Sequence, residues 1–408
     1  MRPACPRAAG AAPPSPGAQK GLEKSPVCAD SISVALPAGK PDTAQAQRTT
    51  AKGAEMRAKG RFILIILAVT VLQGLLAAAE SRAFFRAESF VESEPGVRIF
   101  VREIKASVKE EQGSPVLLIH GVGPGSVPHF DTAVPHYSLA EDIAGAGYFV
   151  YLMDVRGFGK SAGKATEAGS DEAVKDISAV VDWILRRSRD NRVALVGLGA
   201  GGHWAARYTV KNPDRVRRLV LLNTLYGVKA PWPAGKAFED PKKPGVFNPG
   251  AGDVTLADPA DLLADWDRAI PVADKSKWRD PRVAQAYLTL ALADAPPGGL
   301  RIPGAHLREH VEAAQGKKLW DARDIRVPTL YARGTLDHWS RPEDLQALHA
   351  ELVNAPVRQF IVLHGATHFL LLDRPEKGRA AFIHEMLQFL ADRPHAEETQ
   401  QRGKSATR

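Results

Sequence analysis

Apolar positions along the chain follow two rhythms, and their order predicts an architecture. The segments "SFVESE" (89–94) and "VRIFVREIKA" (97–106) flank Pro95-Gly96 and read as a β-hairpin. Short, largely apolar runs follow: "PVLLIH" (115–120), "YFVYLMD" (148–154), "RVALVG" (192–197) and "VRRLVLLN" (216–223). With no polar face, such runs suit parallel strands covered on both sides. Between the second and third lies "DEAVKDISAVVDWILRRS", where Val174, Ile177, Val181 and Ile184 recur at helical spacing and arginines close the C-terminal end. Two late strands are predicted in "RVPTLYAR" (326–333) and "VRQFIVLH" (357–364). A helix between them starts near Pro342, and a last helix is expected from Asp373 to about Leu390, with Asp373 and Glu376 as a capping box. The alternation predicts an α/β protein with a mostly parallel central sheet flanked by helices.

The stretch 228–322 breaks this alternation. It opens with the Pro- and Gly-rich "KAPWPAGKAFEDPKKPGVFNPGAG" and continues through "LLADWDRAI", "RVAQAYLTLALADA" and "HLREHVEAAQ", which have helical patterning. Roughly 95 residues is too long for a plain loop. It reads as a helical cap inserted between the sixth and seventh strands, with 80–227 and 323–391 forming the core.

The ends differ in character. Residues 1–55 are rich in Ala, Pro, Gly and Ser without periodicity, and residues 392–408 are polar; both are expected to be disordered. Between the extension and the core, Arg57, Lys59 and Arg61 precede an apolar run from Phe62 to Ala79. Read from Met56, residues 56–79 form a signal peptide or, uncleaved, a membrane anchor; a buried core helix is the third reading. The first two readings export the body or tether it outside the cytoplasm. On this view Met56 is the functional start.

Charge and cysteine content remove several functions. Of the formal net charge of +8, +6 lies in residues 1–61 and +1 in the tail, leaving +1 for the body. A nucleic-acid partner is therefore not expected. Both cysteines, Cys5 and Cys28, precede the body, which excludes thiolate metal sites and cysteine nucleophiles there.

The chemistry concentrates in "VALVGLGAGGHWAARY" (193–208), whose Gly197, Gly199 and Gly202 spell G-x-G-x-x-G. A dinucleotide site would want a carboxylate at the end of the next strand, and that strand ends in Asn223-Thr224. "DVRGFGKS" fails as a phosphate loop because position 154 is Asp rather than Gly. The same elbow also reads as G-x-S-x-G with glycine in place of serine. Around it stand "LLIHGVGPGS", "MDVRGFGKS", "GTLDHWSRPED" and "GATHFLLLDRP", each after a predicted strand.

In these motifs, from about residue 88 to 391, the chain resembles the α/β-hydrolase superfamily, in particular its capped, esterase- or lipase-like members. The resemblance implies Asp337 as the triad acid, His368 as the base, and the backbone N–H groups of Val122 and Ala200 as an oxyanion hole. His120 and Gly121 would shape the supporting loop, and His203 is expected to pack. The departure is Gly199, which stands where the nucleophile belongs. Ser126, Ser161, Asp131 and Asp154 are not expected to replace it.

Three readings of Gly199 follow. The protein could work without a covalent intermediate, with His368 deprotonating a water in the vacated space. It could be a catalytically dead homologue that binds a ligand or partner. Or glycine could be a recent replacement in an ordinary hydrolase. Retention of both Asp337 and His368 favours the first and third. The expectation is a hydrolase of a small apolar ester-like substrate that needs no metal or organic cofactor.

Overall fold

A computed structural model describes residues 84–106, 113–161, 169–248, 254–256, 259–293, 295 and 299–391. The extension over 1–55, the export or anchor segment over 56–79 and the tail from 392 lie outside the described residues. Among the described residues, no helix is long and apolar enough to cross a membrane.

The hairpin forms first in the chain: β1 (Phe85–Glu94) pairs antiparallel with β2 (Val97–Lys105). Gly96 supplies the turn, with φ +79°. Then come β3 (Pro115–Ile119), a short helix α1 (Ser126–Phe130), α2 (Leu139–Gly145), β4 (Phe149–Met153), α3 (Ser170–Arg187), β5 (Val193–Leu198), α4 (Ala200–Lys211) and β6 (Val216–Leu222). The insertion holds β7 (Glu239–Asp240), β8 (Lys243–Phe247), β9 (Val254–Leu256), α5 (Pro259–Ala269), α6 (Pro281–Ala293), β10 (Leu300–Ile302) and α7 (Gly304–Ala314). The core resumes with β11 (Thr329–Gly334), α8 (Pro342–Glu351), β12 (Arg358–Leu363) and α9 (Arg379–Leu390).

Eight strands make one sheet in the order β1-β2-β4-β3-β5-β6-β11-β12. From β4 to β12 every neighbouring pair is parallel. The apolar runs explain this, because the interior strands bury both faces, while the edge strand β12 stays partly exposed. Leu117, Ile119 and Leu195 pack with Ile177, Val181 and Ile184 of α3 and Trp204 of α4 on one side. Val116, Leu118 and Val196 pack with Ile143 of α2 and Phe382 and Met386 of α9 on the other.

Two expectations need correction. The last helix begins at Arg379, not Asp373: Gly378, at φ +106°, is its N-cap, and Pro375–Lys377 forms a separate 3-10 turn. A left-handed residue cannot continue a helix, and the Asp373 carboxylate is engaged elsewhere. The insertion is not purely helical, since it also carries two antiparallel ribbons, β7–β8 and β9–β10. Its helices build their own apolar clusters: Trp266, Ile270, Val283 and Tyr287 join Leu372 of the core, while Leu307 and Val311 join Leu225.

Candidate active site

The C-terminal ends of four parallel strands bring the predicted site residues to one place. At the end of β5 the chain turns into α4 through Gly199, at φ +53° and ψ −115°. This conformation is costly for residues with a side chain and easy for glycine. The turn is tight because its neighbours are glycine. A Cβ on Gly197 would collide with Gly201, one on Gly201 with the Ile119 carbonyl, and one on Gly202 with Thr224.

The loop after β11 carries Asp337 and the loop after β12 carries His368, with His368 Nδ1 2.8 Å from Asp337 Oδ1. The carboxylate also accepts the N–H groups of Trp339 and Ser340, each at 3.0 Å, and the Ser340 hydroxyl. Burial works to raise the Asp337 pKa, but the His368 charge and these hydrogen bonds hold it below the ordinary value. Asp337 is therefore ionised and accepts a hydrogen bond from the Nδ1–H of His368. That leaves Nε2 as the basic nitrogen of the neutral ring. Burial works to lower the His368 pKa; the Asp337 charge and hydrogen bond, with the charge of Asp265, bring it above 6.5 overall.

Among the described residues, Nε2 has no hydrogen-bond partner. It lies 3.4 Å from the point a Cβ on Gly199 would occupy. A cavity of about 50 Å³ opens there, lined by Val122, Gly199, Ala200, Asp265 and His368 among others. A neighbouring chamber of about 220 Å³ lies under the insertion and shares Val122, Asp265, Tyr287, Trp339 and Phe369 with it.

Two backbone donors border the cavity. Ala200 opens α4, so its N–H has no acceptor within the helix and sits at the positive end of the helix dipole. Val122 is oriented through His120. The His120 ring receives the Val155 N–H on Nε2 at 3.0 Å, so its Nδ1–H donates to Gly121 O at 2.6 Å. In a planar trans peptide the N–H points opposite the carbonyl, so pinning Gly121 O turns the Val122 N–H the other way. Gly121 itself must be small, because a Cβ there would come within 3.0 Å of Leu198 O. Burial pushes His120 down to about 4, which keeps it neutral in this supporting position.

The alternative nucleophiles are engaged elsewhere. Ser126 N–H and Oγ–H bond Asp154 at 2.7 and 2.6 Å, and Ser161 Oγ–H bonds Asp154 O at 2.6 Å. Asp131 is held by Arg86 and Arg102 at 2.8 and 2.9 Å. His203 packs behind the elbow, accepting the Trp320 indole N–H at 3.3 Å, and burial lowers its pKa to about 3. Among the described residues, no three His, Cys, Asp or Glu side chains gather so as to hold a metal ion.

Two supporting residues escape sequence reasoning. Asn223, at the end of β6 with φ +49°, donates from Nδ2 to Thr367 O and His368 O at 3.1 and 3.2 Å and accepts Gly334 N–H at 2.9 Å. It ties the β11 and β12 loops together where a nucleotide site would have had its acid. Asp373 accepts the Thr367 N–H and the Trp266 indole N–H, both at 2.8 Å. Trp266 in turn stacks on Phe369, with ring centroids 5.2 Å apart. The residues flanking His368 are thereby fixed to the insertion.

This sheet order, elbow and strand-end loops define an α/β-hydrolase fold. The chain belongs to the alpha/beta hydrolase fold family, which it matches over residues 114–375. It is similar to 2-hydroxy-6-oxononadienedioate/2-hydroxy-6-oxononatrienedioate hydrolases. Identity to the proteins from Cupriavidus pinatubonensis and Escherichia coli K12 is 35% over 109 residues. That alignment covers 26% of this chain and 35% of each relative, so the chain spans about a third of the length of these relatives. In three dimensions it resembles an esterase from Exiguobacterium antarcticum (TM-score 0.53, 18% identity), covering 75% of this chain and 100% of the esterase. It also resembles a bromoperoxidase from Bacillus anthracis (TM-score 0.51, 21% identity), covering 75% and 100%. At these identities the structural likeness carries the fold alone.

Proposed function

We propose that the protein hydrolyses a small, largely apolar ester-like substrate without a covalent intermediate, using His368 as general base on a water beside Gly199. One observation carries this: the unpartnered Nε2 of His368 borders a water-sized cavity where other hydrolases of this shape would place a nucleophile. Water attacks the substrate carbonyl carbon as Nε2 takes its proton. The developing oxyanion receives the N–H groups of Val122 and Ala200, and Asp337 stabilises the imidazolium. The imidazolium then gives its proton to the departing alkoxide, leaving acid and alcohol. General-base assistance of this kind contributes about 10²–10⁴-fold. The hydrolase names of the relatives support the reaction class, and the short alignment leaves their substrate with them.

A second reading, a scaffold that binds a ligand or partner without turnover, rests on the missing side chain of Gly199. Short acyl esters tested with the native protein and Gly199→Ser, by kinetics and intact mass, separate the two. The proposal expects slow native turnover with no acyl adduct, and faster Gly199→Ser turnover with an adduct on residue 199. A native protein at buffer background beside an active Gly199→Ser would overturn it. Export or tethering through residues 56–79 remains part of the proposal, supported by the basic residues before the apolar run. N-terminal sequencing of the protein recovered from its compartment tests it.

A further inference from the structure

Asp265, on α5 of the insertion, lines both the cavity beside Gly199 and the larger chamber. Its carboxylate accepts His338 Nε2–H at 2.8 Å, the Trp339 indole N–H at 2.6 Å and a guanidinium N–H of Arg268 at 3.0 Å. Burial works to raise its pKa, but the His338 ring, the Trp339 N–H and nearby His368 hold it below the ordinary value, so it is ionised. The Arg268 side chain is 66% exposed, which leaves its charge largely to solvent. Among the described residues, Arg268 itself lines the larger chamber and the exposed Asp261 is the further fixed charge there, so two carboxylates face one solvent-exposed cation. Apolar side chains dominate the rest of the chamber, with Trp339, Tyr287 and Phe369 around the same junction.

A ligand carboxylate passing this junction would face a carboxylate and find no buried cation. A cationic head would find a negative charge beside three aromatic rings, the combination that favours quaternary ammonium groups. We infer that the site selects neutral or cationic apolar ligands and rejects anionic ones, with Asp265 as the residue that sets the selection. The inference rests on the cavity being the substrate site. The competing role for Asp265 is purely mechanical, since its bonds to His338 and Trp339 also fasten the Asp337 loop to the insertion.

The test uses three butyrate esters of similar size: 3,3-dimethylbutyl (neutral), choline (cationic) and 3-carboxypropyl (anionic). Binding is read by calorimetry and by tryptophan fluorescence, independently of turnover. The native protein should bind the anionic ester at least tenfold more weakly than the other two. Asp265→Asn should narrow that gap by about 10- to 100-fold, as expected for two charges some ångströms apart in a partly buried site. Asp265→Glu, which keeps the charge but shifts the loop contacts, should retain the selection. Equal native binding of all three esters would overturn the inference. So would a uniform loss of affinity in Asp265→Asn with the gap unchanged, which is the mechanical outcome. Selective binding without hydrolysis would support the inference while refuting the hydrolytic reading.

Discussion

Replacing Asp337 by asparagine keeps the shape of the acid and removes its charge. The carboxylate accepts from His368, from two backbone N–H groups and from the Ser340 hydroxyl. Asparagine offers one acceptor oxygen. With that oxygen toward His368 and Trp339, its NH₂ can donate to the rotated Ser340 hydroxyl, leaving the Ser340 N–H as the single orphan. That costs about 1–3 kcal/mol of stability. The larger effect falls on His368. Burial, which lowers its pKa, would then be opposed by Asp265 alone, so the value should drop from above 6.5 to below it. The base form acts, so native activity should rise with pH through the raised value. In Asp337→Asn the rise should come at lower pH, to a plateau about 10²–10⁴-fold lower because the imidazolium has lost its counter-charge. A titration of ¹³C-labelled histidine by NMR reads the shift without needing turnover, and a pH–rate profile on a short-chain ester reads the second effect. An unchanged or higher His368 pKa in the variant would refute the reasoning.

Gly197→Ala should cost more than 3 kcal/mol, because its Cβ meets the Gly201 backbone; Gly199→Ala meets the His368 ring at 3.3 Å and should cost about 1–3 kcal/mol from backbone strain. Thermal melts giving the reverse order would refute this account of the elbow. Asp373→Ala leaves the Thr367 N–H and the Trp266 indole N–H without their acceptor and should cost about 2–5 kcal/mol by denaturant unfolding; a loss under 1 kcal/mol would contradict it. Burial lowers the pKa of His120, His129 and His310 to about 4 and of His203 to about 3. Their depressed values contribute stability above pH 6.5 that is lost as pH falls, about 2 kcal/mol each at pH 5. Asp373, raised to about 6 mainly by burial, works oppositely and returns only about 1 kcal/mol over that interval. The melting temperature should therefore fall steeply between pH 6.5 and 5, and a flat profile would refute the burial argument.

The sheet was legible because strands buried on both faces need uninterrupted apolar residues, and few other elements of that length do. The strand ends were legible for the same reason, and Asp337 and His368 each follow one of them; their pairing came from the resemblance to α/β-hydrolases. What stayed hidden depends on partners distant in sequence. Asn223 bonds a carbonyl 145 residues away, and Trp266 bonds Asp373 107 residues away. Asp373 read as a helix cap because capping residues and loop-tying residues share one chemistry. Asp265 fell on the polar side of an amphipathic segment, where a carboxylate ordinarily meets water; only the fold turns that side toward the site. The ribbons of the insertion were hidden by their length: β7, β9 and β10 run only two or three residues, too short for a period to mark them, and Pro244-Gly245 interrupts β8.

In the proposed reaction His368, not a side chain at position 199, performs the chemistry. The rate of short-chain ester hydrolysis by the native protein against His368→Ala, at a pH above the His368 titration, tests it most directly. Native turnover should stand above buffer and fall about 10²–10⁴-fold in the variant. Equal rates in the two proteins would contradict it.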